Sequence, residues 1–99
     1  MAKIAFTNKS KDDLKEIWEY SYDTWSEKQA DKYYEDLIER CQKLVLDYEY
    51  GKDYSSLIGN LKGVRINKHI IFYRILESDM IEIERILHEK MDIKKHLNE

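Results

Sequence analysis

Apolar residues recur at helical spacing through most of the first half of the chain. A short alternating stretch, Lys3 to Thr7, predicts a first strand, and the spacing after it predicts a helix over roughly 11–25. A second helix follows at once, because apolar side chains mark every turn from Ala30 to Tyr48. Two helices with almost no linker between them predict an antiparallel helical hairpin.

The second half of the chain has the pattern of β-strands separated by turns. The segment HIIFYRIL is apolar on both faces, which is typical of a central strand. The predicted elements are a loop at 49–60, a strand at 64–66, a turn at Asn67 and Lys68, the central strand at 69–76, a turn at Glu77, Ser78 and Asp79, and a last strand from Met80 to Leu87.

Polar residues that can cap a helix stand at three places. Ser10 with Asp13 forms the pattern S-x-x-D and predicts the start of the first helix. Ser26 with Gln29 predicts the start of the second helix in the same way. Asp92 is most simply the N-cap of a short C-terminal helix.

The order of elements predicts an α+β fold of two layers, β-α-α-β-β-β. The N-terminal helical hairpin packs on one face of an antiparallel sheet, and a short C-terminal helix follows. A length of 99 residues predicts a single domain, 1–99. The large side chains expected in the core of the hairpin, with one core residue near the C-terminus, are Trp18, Trp25, Tyr33, Tyr34, Leu37 and Met91.

The last strand changes its pattern half-way. Ile81 and Ile83 alternate with two glutamates, but from Arg85 onward charge and burial change places. Either the solvent face of the sheet becomes covered there, or a β-bulge re-aims the strand. A regular strand would place Arg85 with the isoleucines and His88 on the opposite side.

Composition excludes several classes of function. The net charge is −3 and the isoelectric point is near 5.6, which argues against direct nucleic-acid binding. Cys41 is the only cysteine and the three histidines lack metal-ligand spacing, so no metal or cofactor is expected. The sequence has no long apolar stretch that would predict a leader or a membrane span, so the expected location is the cytoplasm.

Segments from both halves of the chain resemble one toxin family. HIIFYRI at 69–75 and RILHEKMD at 85–92 resemble the ParE toxins of the RelE/ParE superfamily. FTNKSKDDLKEIWEY and WSEKQADKYYEDL resemble the first and second helices of that family, including the junction W-x-x-x-Q-A at Trp25, Gln29 and Ala30. The similarity therefore covers nearly the whole chain.

The resemblance implies the toxin of a type II toxin–antitoxin system. ParE-like toxins poison DNA gyrase and so block replication. The expected second partner is an antitoxin, ParD-like or another small protein, whose disordered C-terminal region folds onto the toxin. Because gyrase poisoning works by binding, the resemblance carries over no catalytic residue.

The RelE-type relatives, which cleave mRNA in the ribosome, provide an alternative. Cleavage without a metal needs groups that activate the 2′-hydroxyl and protonate the leaving oxygen. By this resemblance Arg65 corresponds to one basic sheet residue, Ile70 replaces a second, and His88 or His96 would be the late acid. A non-toxic homologue that binds its antitoxin is a third alternative.

Exposed tyrosines and a local basic strip provide the candidates for contact with an antitoxin or a target. Tyrosines give interface area at low entropy cost, and no acidic residue occurs from Tyr54 to Leu76. Arg85 is expected first in an ion pair or bonded to carbonyls, and His88 in a hydrogen bond that orders the C-terminal turn. The candidates are Tyr22, Tyr48, Tyr54, Arg65, Arg74, Arg85 and His88.

Overall fold

The computed structural model describes residues 3–77 and 79–98. It confirms the predicted α+β order and the short C-terminal helix, and it adds a two-residue strand within the segment predicted as a loop. Ser78, part of the predicted turn, lies outside the described residues. The elements are β1 (Lys3–Phe6), α1 (Asn8–Thr24), α2 (Glu27–Asp47), a 3₁₀ turn (Tyr48–Tyr50), β2 (Lys52–Asp53), β3 (Lys62–Ile66), β4 (His69–Leu76), β5 (Met80–His88) and α3 (Ile93–Leu97).

The strands form one sheet in the order β1-β5-β4-β3-β2. From β2 to β5 the neighbours are antiparallel, as predicted for the meander of the last strands. The sheet as a whole is mixed rather than antiparallel, because β1 pairs in parallel with β5, from Lys3 opposite Met80 to Phe6 opposite Ile83. The helical hairpin connects β1 to the far side of the sheet.

Each face of the sheet has its own apolar core. The helix-covered face packs against α1 and α2 through Leu14, Leu37, Cys41, Leu44, Val64, Ile71, Tyr73, Ile81, Ile83 and Ile86. The second face is covered at one end by the loop before β3 and by α3, through Leu61, Ile70, Phe72 and Leu87 with Tyr54, Ile58, Ile93 and Leu97. Coverage on both sides explains why β4 has apolar residues on both faces.

A β-bulge explains the change of pattern in β5. Phe72 pairs with Arg85, whereas the next residue of β4, Tyr73, pairs with Ile83, so Glu84 is the extra residue. Both alternatives for this region therefore hold, since the second face is also covered here. The regular continuation was wrong, because the bulge turns Arg85 to the second face and Ile86 to the helix-covered face.

Two of the three predicted helix caps are confirmed. The hydroxyl of Ser26 accepts a hydrogen bond from the amide of Gln29, and the carboxylate of Asp92 accepts one from Lys95. Ser10 is not a cap, because α1 begins earlier and Thr7 accepts the bond from the Ser10 amide. Thr7 also donates to the carbonyl of Glu84 at 2.8 Å, which ties the helix start to β5.

The predicted aromatic core of the hairpin was largely wrong. Leu37 is fully buried, but Trp25 is 72% exposed, Tyr34 is exposed, and Trp18 and Tyr33 are half-buried. The buried positions of α1 are instead Ser10, Asp13, Leu14 and Ser21, because small or paired polar residues let the helix approach the sheet. Met91 is 43% exposed and does not fill the core.

Gly51 is required by the close approach of a buried tyrosine. A Cβ at this position would overlap the Tyr73 hydroxyl and lie 2.8 Å from its Cζ. Tyr73 is fully buried and donates to the carbonyl of Tyr48, so its ring has little freedom to move. Gly51→Ala should therefore lower the free energy of unfolding by about 1–3 kcal/mol, measured by urea denaturation.

Gly59 provides the matched control for this substitution. An added Cβ there meets nothing within 4 Å. Gly59→Ala should change the free energy of unfolding by no more than about 0.5 kcal/mol. Equal effects of the two alanine substitutions would contradict the steric explanation.

Candidate partner-binding groove

A large open groove separates the helical hairpin from one end of the sheet. Its volume is about 990 Å³. One wall comes from α1 and α2, and the other comes from the β3–β4 turn and the end of β5. The groove is lined by Asp13, Glu16, Ile17, Tyr20, Ser21, Trp25, Gln29, Lys32, Tyr33, Asp36, Asn67, Lys68, His69, Ile86, His88, Lys90 and Met91.

Large apolar side chains are left exposed along the groove. Trp25 at the junction of the two helices is 72% exposed, Tyr20 is 68% exposed and Met91 is 43% exposed. Contiguous apolar surface rimmed by polar residues is typical of an interaction site in a soluble protein. The groove therefore has the composition of a protein-binding surface.

A tyrosine and two histidines meet in the groove, where β4 begins and β5 ends. The Tyr33 hydroxyl lies 2.6 Å from Nδ1 of His69, and the rings of His69 and His88 meet edge-on with centroids 5.3 Å apart. Burial, reinforced by the neighbouring His88, lowers the pKa of His69 to about 4. His69 is therefore neutral at pH 7 and offers a partner polar but uncharged contact.

Charges are divided between the two walls of the groove. The helices contribute Glu16 and an exposed pair in which Lys32 Nζ lies 3.4 Å from the Asp36 carboxylate. The other wall contributes Lys68 in the β3–β4 turn and Lys90 after β5. A segment lying in the groove would thus meet charges of both signs on the helical wall and lysines on the other.

His88 orders the chain where it leaves β5, as its structural interpretation predicted. Its Nδ1 accepts a hydrogen bond from the Lys90 amide at 3.1 Å. The next residue, Glu89, donates its amide to the carbonyl of Lys68 at 2.8 Å. These contacts hold Lys68 and Lys90 on the same wall of the groove.

Arg85 is held by a buried ion pair at the edge of the groove. Its guanidinium donates to both carboxylate oxygens of Asp13, at 2.8 and 3.0 Å, and to the carbonyl of His96 at 2.7 Å. The Asp13 carboxylate also accepts a hydrogen bond from the amide of Ile86 at 2.9 Å. Ile86 lies beyond Ile83, the last residue of β5 that pairs with β1. The structural interpretation of Arg85 is confirmed, and Asp13 is its partner rather than part of a capping box.

The other predicted candidates do not converge on the groove. Tyr22 is exposed and stacks on Trp18 with ring centroids 5.2 Å apart. Tyr48 packs against the helix-side core, and Tyr54 packs edge-on against Phe72 on the second face. The three tyrosines therefore lie on separate surfaces.

The two remaining arginines lie on the second face of the sheet. Arg65 forms an ion pair with Glu89. Arg74 lies 2.9 Å from Glu84 and 3.7 Å from Glu82. Among the seven candidates, only His88 is a lining residue of the groove that the described residues form. The sequence pattern placed Trp25 in the core, although Trp25 immediately precedes the Ser26 cap and so stands at the tip of the hairpin.

The carboxylates beside Arg74 make folding stability depend on pH. Burial, followed by a hydrogen bond with Glu82, raises the pKa of Glu84 from 4.5 to about 7. Between pH 4.5 and about pH 7 the folded state therefore binds more protons than the unfolded state. The stabilisation from protonated Glu84 is fully present below pH 4.5 and is lost as the pH rises through about 7. Glu84→Gln should flatten the fall in stability between about pH 5 and about pH 8 in urea titrations.

Glu77 is the matched control, because it is an exposed carboxylate on the turn after β4. Glu77→Gln should keep the pH dependence of the parent chain. A parent chain whose stability rises steadily across the window, or a Glu84→Gln variant with an unchanged slope, would contradict the assignment to Glu84.

The comparison with protein families decides the classification. Residues 4–93 match the model of the family described as ParE toxin of type II toxin-antitoxin system, parDE. The chain belongs to the ParE toxin family. The match covers both helices, the sheet through β5 and the start of α3, so it includes every lining residue of the groove.

Individual ParE toxins are similar along almost their full length. Toxin ParE1 of Mycobacterium tuberculosis is 27% identical over 84 residues, which are 85% of this chain and 86% of that protein. Toxin ParE1 of Caulobacter vibrioides is 28% identical over 97 residues, 98% of this chain and 99% of that protein.

A solved structure confirms the ParE fold. The chromosomal ParDE TA system from P. aeruginosa contains a chain that superposes with a TM-score of 0.77 at 20% identity. The superposition covers 89% of this chain and 96% of that chain.

Two further observations concern the described part of this ParE chain. No group of three or more His, Cys, Asp or Glu side chains there is arranged to hold a metal ion. None of its helices is long and apolar enough to span a membrane.

Proposed function

We propose that this ParE family member inhibits DNA gyrase by binding and is neutralised by a cognate antitoxin that occupies the groove. The family match over residues 4–93 carries the proposal. An antitoxin of ParD type, with a C-terminal region that folds on binding, is the expected partner. Since gyrase is the target, the site of action is the cytoplasm.

The groove suits an amphipathic segment that folds as it binds. Apolar side chains of such a segment would cover Trp25, Tyr20 and Met91, which the chain alone leaves exposed. Acidic side chains would lie near Lys68 and Lys90, on the wall opposite the helices. The volume of about 990 Å³ accommodates several side chains of a partner.

The geometry supports action by binding rather than by RNA cleavage. Arg65 pairs with Ile70 on the second face, whereas His88 pairs with His69 on the helix-covered face, so the side chains of Arg65 and His88 point away from each other. Arg65 is moreover paired with Glu89. A general acid and a phosphate-binding cation must both reach one phosphate, and these two do not.

A supercoiling assay with purified gyrase tests the proposal. The toxin should inhibit supercoiling or cause cleaved gyrase–DNA complexes to accumulate, and an equimolar antitoxin should reverse this effect. Unchanged supercoiling at excess toxin would refute gyrase inhibition. Primer extension on translated mRNA then separates the alternatives. Specific cuts that disappear in Arg65→Ala or His88→Ala would indicate a ribonuclease. If the parent chain makes no cuts and its expression leaves growth normal, it would be a non-toxic protein that binds its antitoxin.

A further inference from the structure

A second, smaller pocket lies on the other flank of the helical hairpin. It has a volume of about 270 Å³ and is lined by Trp18 of α1 and by Asp31, Tyr34 and Glu35 of α2. Successive residues of a helix are about 100° apart, so Trp18 is about 200° from Glu16 or Tyr20, which line the groove. The hairpin pocket is therefore separate from the groove.

The aromatic wall of the hairpin pocket is held in place by two contacts. The indole N–H of Trp18 donates to one carboxylate oxygen of Asp31 at 2.9 Å. Tyr22, one turn further along α1, stacks on the Trp18 ring with an interplanar angle of 25°. Because these contacts fix the ring before any ligand arrives, little side-chain entropy would be lost on binding.

The acidic groups of the hairpin pocket are available to a ligand. Asp31 uses one oxygen for Trp18, and neither Asp31 nor Glu35 forms an ion pair with a cationic side chain within residues 3–77 and 79–98. By contrast, Asp36 and Glu39 on the same helix are paired with Lys32 and Lys43. The hairpin from residue 8 to 47 carries 7 basic and 11 acidic residues, so its field also attracts cations.

We propose that the hairpin pocket binds an arginine side chain presented by a partner protein. An aromatic face attracts a cation, most strongly when the ring is indole. A guanidinium can stack on that face while its N–H groups donate to neighbouring carboxylates, which a compact ammonium group does less well. Trp18 with Tyr34 and Asp31 with Glu35 supply both kinds of contact in one pocket.

The proposal is independent of the groove and of gyrase. A partner arginine could occupy the hairpin pocket whether or not an antitoxin fills the groove, because the two share no lining residue. The pocket therefore gives the hairpin a second contact surface, selective for cationic segments.

A capped tripeptide with a central arginine, compared with its citrulline analogue, tests the proposal. The full chain carrying Trp25→Phe retains Trp18 as its one indole, so fluorescence and the indole N–H resonance report on the hairpin pocket. The arginine peptide should give a saturable change with a dissociation constant below about 10 mM, and citrulline should bind at least about tenfold more weakly. Equal binding of both peptides, or no saturation at about 10 mM, would overturn the proposal.

Glu35→Gln and Glu39→Gln form the matched pair of variants. Both residues are exposed, so both variants should fold, which thermal melting verifies. Glu35→Gln should weaken binding of the arginine peptide by about fivefold or more, since it removes one charge-assisted contact. Glu39→Gln should leave the affinity unchanged, and equal losses in the two variants would show a general charge effect in place of a defined pocket.

Discussion

Replacing Asp13 with alanine should lower the free energy of unfolding by about 3–5 kcal/mol. The side chains of Arg85 and Asp13 are only 11% and 8% exposed, so the variant breaks a buried ion pair and removes two hydrogen bonds from the guanidinium. The amide of Ile86 loses its acceptor as well. For a domain of this size, such a loss is a large part of the total stability.

Urea denaturation followed by circular dichroism measures this loss. Asp12→Ala is the matched control, because Asp12 is the exposed neighbour on the same helix, and it should change stability by no more than about 0.5 kcal/mol. The double variant Asp13→Ala with Arg85→Met should recover much of the loss, since it also removes the buried guanidinium that Asp13 contacts. A single variant within about 1 kcal/mol of the parent chain would contradict the importance of the pair.

The ion pair joins three elements at the border of the groove. Asp13 belongs to α1, Arg85 to β5, and the carbonyl that Arg85 also contacts belongs to His96 in α3. Asp13 and Ile86 both line the groove. A weakened antitoxin affinity in an Asp13 variant would therefore report altered groove shape, and not a direct contact, unless stability is restored first.

Local patterns predicted those parts of the fold that depend on local interactions. The caps at Ser26 and Asp92 were predictable because each side chain bonds an amide three residues later. Thr7 makes the same local bond with the amide of Ser10, so the pattern did not distinguish Thr7 from Ser10 as the cap. The bond from Thr7 to the Glu84 carbonyl, 77 residues away, could not be predicted from local sequence. For the region of Glu84 the sequence predicted either a bulge or a covered solvent face, because the pattern of apolar and charged residues shows that the buried side of the strand changes but not why.

The aromatic residues show a different limit of sequence reasoning. Helical spacing places Trp25 on a stripe with Leu14 and Trp18, but spacing does not tell which part of the stripe the sheet covers. Leu14, near the start of α1, is buried, whereas Trp25, at the end of the same stripe, is 72% exposed. Trp25 therefore lines the groove instead of filling the core.

The segment RILHEKMD is a structural signature more than a chemical one. Four of its polar side chains have structural partners. Arg85 and Glu89 form ion pairs with Asp13 and Arg65, and His88 and Asp92 accept hydrogen bonds from the amides of Lys90 and Lys95. These contacts fix the end of β5, the turn beyond it and the start of α3. The polar residues of the segment therefore have a structural role at the C-terminal end of the fold.

Replacing Lys68 with alanine in the groove should weaken antitoxin binding modestly and reduce its dependence on salt. Lys68 lines the wall opposite the helices and is exposed. Charges at the rim of an interface act mainly on the association rate and are screened by salt. A larger effect is expected from the exposed apolar side chains of the groove.

Trp25→Ala should weaken binding of the antitoxin by about 2 kcal/mol or more, which corresponds to at least about 30-fold in the dissociation constant. The indole is 72% exposed in the free chain, so its burial by a partner is a gain made only in the complex. The same exposure means that the variant should keep the stability of the parent chain. Tyr50→Ala is the matched control, because Tyr50 is 85% exposed but does not line the groove. Calorimetric titration with the cognate antitoxin decides the matter: equal affinity of Trp25→Ala and Tyr50→Ala would place the antitoxin elsewhere, while gyrase inhibition, assayed separately, could still hold.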